Sequence, residues 1–186
     1  MQDISTRLEG KLICLNGFPK NPEFYDIYKK WLESEEVVQG TGGKKQYSLE
    51  EIVEFLAQNI NESITHWCIY HSNQPIGEIS LNRLSSDAEF KDYQIHQYKN
   101  PVELTILVIE SGKGFGKEAT VLALNHAFNS LNIDAIYLTV YINNTRAYTL
   151  YQKLGFKILG EKKDKDNNKP EYVMLLTPDS FVNNNL

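Results

Sequence analysis

Gly112, Gly114 and Gly116 stand at two-residue spacing between an apolar run and a helical pattern. Glycines strip the turn of side chains, so backbone N–H groups at the start of the helix can approach an anion. The chemistry on offer is pyrophosphate binding. Lys113 and Lys117 either add charge to those phosphates or stand solvated, and the residues alone leave both open. Two familiar phosphate loops are excluded by spacing. A P-loop needs glycine at 111 and Ser or Thr at 118, where this chain has Ser111 and Glu118. A dinucleotide fingerprint needs glycine at 117, which is Lys117. The glycine spacing also suits an ordinary strand–turn–helix. A second candidate is Glu103, a carboxylate inside the apolar run. Burial there raises its pKa toward that of a general base, unless it points out at a strand end near solvent.

These groups need a strand before the turn and a helix after it. Val102–Ile109 is long and apolar enough for a central strand buried on both faces. Leu124, Ala127, Phe128 and Leu131 then recur at helical spacing. A second strand, Ala135–Val140, precedes another helical stripe of Ala147, Leu150, Tyr151 and Leu154, with Gly155 placed as its C-terminal cap. Upstream, the pattern predicts a strand at Lys11–Leu15 and a helix over Pro22–Leu32. A helix over Glu50–Ile60 follows, capped by Ser48 with Glu51 in a capping box. Strands at Thr65–Tyr70 and Ile76–Leu81 come next, then a polar insertion at Ser85–Asn100. Two last strands are split by a charged loop, EKKDKDNNKP, and Pro178–Leu186 reads as a loosely held tail after a single domain over residues 1–177.

Ser111 to Gly116 resembles the cofactor motif of the GNAT superfamily of acyl-CoA-dependent N-acyltransferases, with Ser111 where that family usually has Gln or Arg. Asn144, Ala147, Leu150, Tyr151, Lys153, Gly155 and Phe156 are similar to the motif that follows it. The resemblance implies an α+β, three-layer fold: a mixed, mostly antiparallel central sheet with helices on both faces. It implies acetyl-CoA as co-substrate. Ser111, Gly112, Lys113, Gly114, Phe115, Gly116 and Lys117 would hold the pyrophosphate, and the backbone of Val108 and Ile109 would bind pantetheine like an added strand. Asn144 and Ala147 would contact the cofactor, though Asn144 also suits an N-cap. Glu103 would take the acceptor's proton through a water, and Tyr151 would protonate the departing sulfur. Tyr151 equally fits a core position on its stripe.

Composition sets the remaining bounds. The chain has 186 residues and a net charge of −5. Residues 1–90 carry 8 Lys/Arg against 14 Asp/Glu, a net of −6, while residues 91–186 carry 11 against 10, a net of +1. An acidic first half argues against nucleic acid and suits a cationic partner or simple solubility. No apolar stretch reaches the roughly 18 residues of a membrane span. The N-terminus lacks a signal pattern, and Cys14 and Cys68 read as buried reduced thiols, so the cytoplasm is the expected compartment. The four histidines have no metal spacing, so no metal is expected, and core or surface roles suit them.

Acceptor recognition is expected from Trp31, Glu35, Tyr47 and Tyr93, supported by Glu33, Glu36, Asp87, Glu89, Asp92 and Tyr98. Acids and aromatic rings together suit a small cationic amine. The stretch from Lys30 to Ile52 also resembles that of aminoglycoside 6′-N-acetyltransferases and, in its Trp-Leu region, that of ribosomal-protein N-terminal acetyltransferases. The acceptor is therefore read as an aminoglycoside or polyamine, with a protein N-terminus as the alternative. A non-catalytic acetyl-CoA sensor is a third reading. The assembly is expected to be a monomer or homodimer.

Overall fold

The computed structural model of the chain describes residues 6–35, 37–38, 46–84, 91–110, 112–165 and 167–182. Its strands are β1 Leu8–Glu9, β2 Cys14–Asn16, β3 Ser63–His71, β4 Gln74–Arg83, β5 Pro101–Val108, β6 Ala135–Tyr141, β7 Lys157–Lys163 and β8 Pro170–Leu176. The helices are α1 Pro22–Glu33, α2 Leu49–Glu62, α3 Phe115–Asn129 and α4 Thr145–Lys153. The strands form one sheet in the order β1-β2-β3-β4-β5-β6-β8-β7. The β1–β2, β2–β3, β6–β8 and β7–β8 ladders are antiparallel, and β5–β6 is parallel. This is the mixed, mostly antiparallel sheet that the sequence predicts.

Two compact units make up the chain. The first comprises Met1–Ser80 with Ile106–Ala119, the second Leu81–Thr105 with Thr120–Leu186. In the first, the local sequence starts both helices as expected. Asn21 caps α1 by accepting from Phe24 N at 2.9 Å, with Pro22 at the first helical position. Ser48 and Glu51 close a reciprocal capping box on α2. α1 buries Phe24, Tyr28, Trp31 and Leu32, one helical face, against Ile52, Leu56 and Cys68, with Leu107 and Ile109 beside them. The next residue after Leu107, Val108, points to the opposite face, and its side chain lies against the start of α3 at Gly116. Helices therefore cover both faces here. Both cysteines are free thiols on neighbouring strands.

Residues Lys11 and Leu12, expected in a strand, form a corner between β1 and β2 instead. The Glu118 carboxylate on α3 accepts from the amides of both, which takes those donors away from any ladder. Gly10 is needed in this corner: a Cβ there would stand 2.5 Å from a Glu118 carboxylate oxygen. β5 also differs from its expected double burial. Val102 and Leu104 are buried, Thr105 is exposed, and Ile106–Ile109 are half-buried. α3 ends at Asn129, so Leu131 of the predicted stripe lies past the helix.

In the second unit, Ala135, Tyr137 and Val173 form a core with Leu84, Tyr93, Ile95, Tyr98 and Leu175 around it. The charged loop is shorter than its composition suggests. Glu161 to Lys163 belong to β7, because Lys162 faces Glu171 in the β7–β8 register and pairs with it at 3.2 Å. The segment expected to be a loose tail is docked over its first residues. Val182 N donates to Leu154 O at 3.1 Å, and Phe181 packs on Phe128 at 5.6 Å. Residues 183–186 lie outside the described residues, as do residues 85–90 of the insertion.

Candidate active site

The glycine turn has the backbone its composition requires. Gly112 and Gly114 both hold a positive φ, 88° and 86°, where a side chain would be strained. A Cβ on Gly112 would meet nothing within 4 Å. The first helical bond of α3 runs from Glu118 N to Gly114 O, so the amides of Phe115 and Lys117 stand ahead of the helical ladder. That arrangement fits an anion. Phe115 is buried, with its ring 4.5 Å from that of His71. His71 Nδ1 donates to Leu12 O at 2.7 Å, and the Glu118 carboxylate holds the amides of the same corner. The first turn of α3 is thereby fixed from two sides.

Lys113 is exposed and paired. Its ammonium is 2.5 Å from the Glu110 carboxylate and 5.9 Å from the Phe115 ring centre. That hydrogen bond holds the Glu110 carboxyl below the usual carboxylate range. Lys117 is exposed. Ser111 lies outside the described residues. At the end of β5, Ile109 N already donates to Ile76 O at 3.0 Å, so that amide is not available to an added strand. Backbone groups of successive strand residues point to opposite edges, which leaves Val108 as the residue directed away from β4.

A second group in the same unit was not expected from sequence. Glu78 on β4 accepts from the Tyr28 hydroxyl, 3.0 Å from each of its two oxygens. It also accepts from His66 Nε2 at 2.9 Å. His66 is 4% exposed, while the Glu78 side chain is 15% exposed. Burial pushes the Tyr28 phenol well above its ordinary pKa, and the Glu78 charge adds to the effect. The clue was present in PIGEIS, a carboxylate inside an apolar strand, the same clue that singled out Glu103. Of the acceptor candidates in this unit, Trp31 is a core residue packed on Phe24 and Tyr28. Glu35 is exposed. Tyr47 is half-buried, and its amide donates to Glu33 Oε1 at 2.7 Å. Glu36, Asp87 and Glu89 lie outside the described residues.

In the second unit, Glu103 is half-buried on β5, opposite Tyr137 in the last pair of the β5–β6 ladder. Asn144 caps α4, with its side chain accepting from Ala147 N at 3.2 Å. Tyr151 is 7% exposed and packs on Phe156 at 5.5 Å. Burial alone pushes its phenol up to about 12. No hydrogen bond reaches its hydroxyl from the described residues, unlike Tyr137 and Tyr141, which donate to Tyr93 O and Asp164 Oδ2. Tyr93 is held within this unit: its hydroxyl donates to Glu161 O at 3.1 Å. Among the described residues, no cluster of three His, Cys, Asp or Glu could hold a metal.

Comparison with known proteins follows this geometry. The acetyltransferase (GNAT) domain family matches residues 14–157. An N-acetyltransferase 9-like protein of Caenorhabditis briggsae is 29% identical over 146 residues, covering 75% of this chain and 72% of its own. Spermidine N(1)-acetyltransferase of Escherichia coli K12 is 42% identical over 83 residues, 45% of this chain and 38% of its own. The solved structure of AAC(6')-Ib with ribostamycin and coenzyme A superposes with a TM-score of 0.75 at 20% identity, covering 91% of this chain and 96% of that one.

Proposed function

This chain belongs to the acetyltransferase (GNAT) domain family, and from that premise we propose that it moves the acetyl group of acetyl-CoA directly to a primary amine of a small cationic molecule, a polyamine or an aminoglycoside. Its being an acetyl-CoA-dependent N-acetyltransferase is what the family and its relatives show. The acceptor and the residue roles are our reading. The observation that carries the roles is Tyr151: buried, unpartnered among the described residues, and protonated far above neutral pH.

Direct transfer asks for three proton movements: off the ammonium, onto the departing sulfur, and off the nitrogen as the amide forms. The acceptor arrives as an ammonium and must lose a proton before its nitrogen has a lone pair. We assign that proton to Glu103, through a water. The nitrogen then adds to the thioester carbonyl, the C–S bond breaks, the sulfur takes a proton from Tyr151, and the nitrogen sheds its second proton to water as the amide forms, from which the Tyr151 phenolate is restored. A phenol with no hydrogen-bond partner among the described residues has its hydrogen available for that step. Holding both substrates supplies much of the remaining rate. Gly112 to Lys117 would hold the pyrophosphate by backbone amides, with Lys113 leaving Glu110 to reach it. Val108 would offer its backbone to pantetheine, and Asn144 and Ala147 would contact the cofactor from the start of α4. Glu35 and Tyr47 remain acceptor candidates. The family match spans parts of both compact units, which supports reading them as one domain.

Two observations favour small cations as acceptors: the net charge of −6 over residues 1–90, and the likeness to proteins that acetylate spermidine or bind ribostamycin. The N-acetyltransferase 9-like protein covers 75% of this chain, and its name gives no acceptor; the Trp-Leu region keeps a protein N-terminus as a second acceptor reading. The test is thiol release from acetyl-CoA against spermidine, aminoglycosides and peptides with free N-termini. Release with the first two classes supports the proposal. Release with peptides alone replaces the acceptor, and acetyl-CoA binding without any release points to a sensor.

A further inference from the structure

Glu78 sits in surroundings that a structural carboxylate does not need. Both of its hydrogen-bond donors are uncharged or weakly basic side chains, the Tyr28 phenol and the His66 imidazole. Among the described residues His66 is its only ion-pair partner, so no Lys or Arg there balances its charge. A carboxylate can only accept, so His66 Nε2 must carry the hydrogen in that contact. His66 Nδ1 is then left buried with no partner among the described residues. Phe18 and Tyr28 flank the pair, with the Phe18 ring 4.6 Å from His66 and 6.4 Å from Tyr28. The Glu78 side chain keeps 15% of its surface exposed. A network serving only to join α1 to β3 and β4 would be replaceable by apolar side chains at little loss, because desolvating a charge offsets most of what its contacts return.

We infer that Glu78, aimed by Tyr28 and His66, is the anchor for a cationic nitrogen of the acceptor, and that this nitrogen is not the one acetylated. The inference rests on the acetyltransferase reading above. An ammonium held by a carboxylate keeps its proton and has no lone pair, so it cannot attack the thioester. The nitrogen bound at Glu78 therefore serves recognition, and the reacting amine is a different one on the same molecule. The acceptor must then carry at least two amino groups. Polyamines and aminoglycosides meet that requirement, and a peptide whose only amine is its N-terminus does not.

The test measures binding apart from turnover. Calorimetry on the full chain saturated with CoA would compare spermidine with propylamine, which offers one cationic nitrogen only. Spermidine is expected to bind at least about tenfold more tightly, the margin of a charge-assisted hydrogen bond. Glu78→Gln is expected to erase that margin while CoA binding and the thermal midpoint stay near wild type. Tyr28→Phe keeps the ring and removes one donor, so it should lose part of the margin, and it serves as the readout if the glutamine variant does not fold. Equal affinity of spermidine for wild type and Glu78→Gln overturns the anchor, as does equal affinity of wild type for the two amines. A fall in kcat with spermidine affinity kept overturns it too, in favour of a proton-accepting role. Thiol release from acetyl-CoA is read separately. If no amine supports release, the proposed function falls while the calorimetry still decides on Glu78.

Discussion

Two carboxylates are drawn into the same compact unit and meet different fates. Glu118, in the first turn of α3, is 3% exposed and accepts from the backbone amides of Lys11 and Leu12. Glu78, on β4, accepts from a phenol and an imidazole and still reaches solvent. The chemistry of the donors separates them. A backbone N–H can only donate, so Glu118 is locked into a single role that fixes the corner beside the glycine turn. A phenol can accept as well as donate, and a neutral imidazole can change tautomer. The partners of Glu78 can therefore rearrange around a different charge state or a ligand. Inflexible partners mark scaffold, and adaptable ones mark a site.

Tyr151 extends the comparison, because its hydroxyl has no described partner at all. Tyr151→Phe should lower kcat by about 10²–10⁴, the span of a lost general acid, with CoA affinity and thermal midpoint unchanged. Single-turnover thiol release and calorimetry would check it. A drop in stability without a drop in rate would return Tyr151 to the core.

The isosteric pair Glu118→Gln and Glu78→Gln tests the contrast directly. In the first, an NH₂ group would replace the Oε2 that lies 3.0 Å from Leu12 N, setting donor against donor and leaving that amide only its 3.2 Å contact with Oε1, at a loss of about 1–3 kcal/mol. In the second, Tyr28 and His66 can reverse their roles, so the loss should stay within about 1 kcal/mol. Urea unfolding of both variants gives the two numbers. Similar losses would erase the distinction between scaffold and site.

Alkaline pH probes the buried phenols together. Burial leads the upward shifts of Tyr137, Tyr141 and Tyr151, each pushed up to about 12. An unfolded tyrosine titrates near about 10. Stability from these groups is therefore complete below about pH 10 and is lost as pH rises through about 12, because the unfolded state gives up its protons first. The tyrosinate absorbance of these three, read as the difference between wild type and the Tyr→Phe variant of each, should then rise together with unfolding rather than ahead of it. The smallest effect is expected from Lys113→Ala. The Glu110–Lys113 pair is exposed, so the thermal midpoint should not move, and any change should appear in CoA affinity and its salt dependence.

Much of the frame was legible because it is local. Gly112 and Gly114 announce a backbone that side chains avoid, and the caps of α1 and α2 use side chains within three residues of the amides they satisfy. The motif order that pointed to acetyl transfer is likewise a matter of neighbours in sequence. Glu103 and Glu78 carry the same local sign, an acid in an apolar strand, and nothing within either strand says which partners it will meet. Trp31 and Tyr93 have the right composition for a cation site, yet the fold places Trp31 in the core and ties Tyr93 to Glu161.

Sequence by itself determined the glycine turn, the helix starts, the sheet-forming runs and the family they imply, since each depends on backbone preferences set within a few residues. Tertiary structure alone decided which polar groups meet. Tyr28 reaches Glu78 across 50 residues, and Glu118 turns Lys11 away from a strand across 107. A side chain's partner is whatever the folded chain brings within about 3 Å, the reach of a hydrogen bond, and no local pattern encodes that meeting.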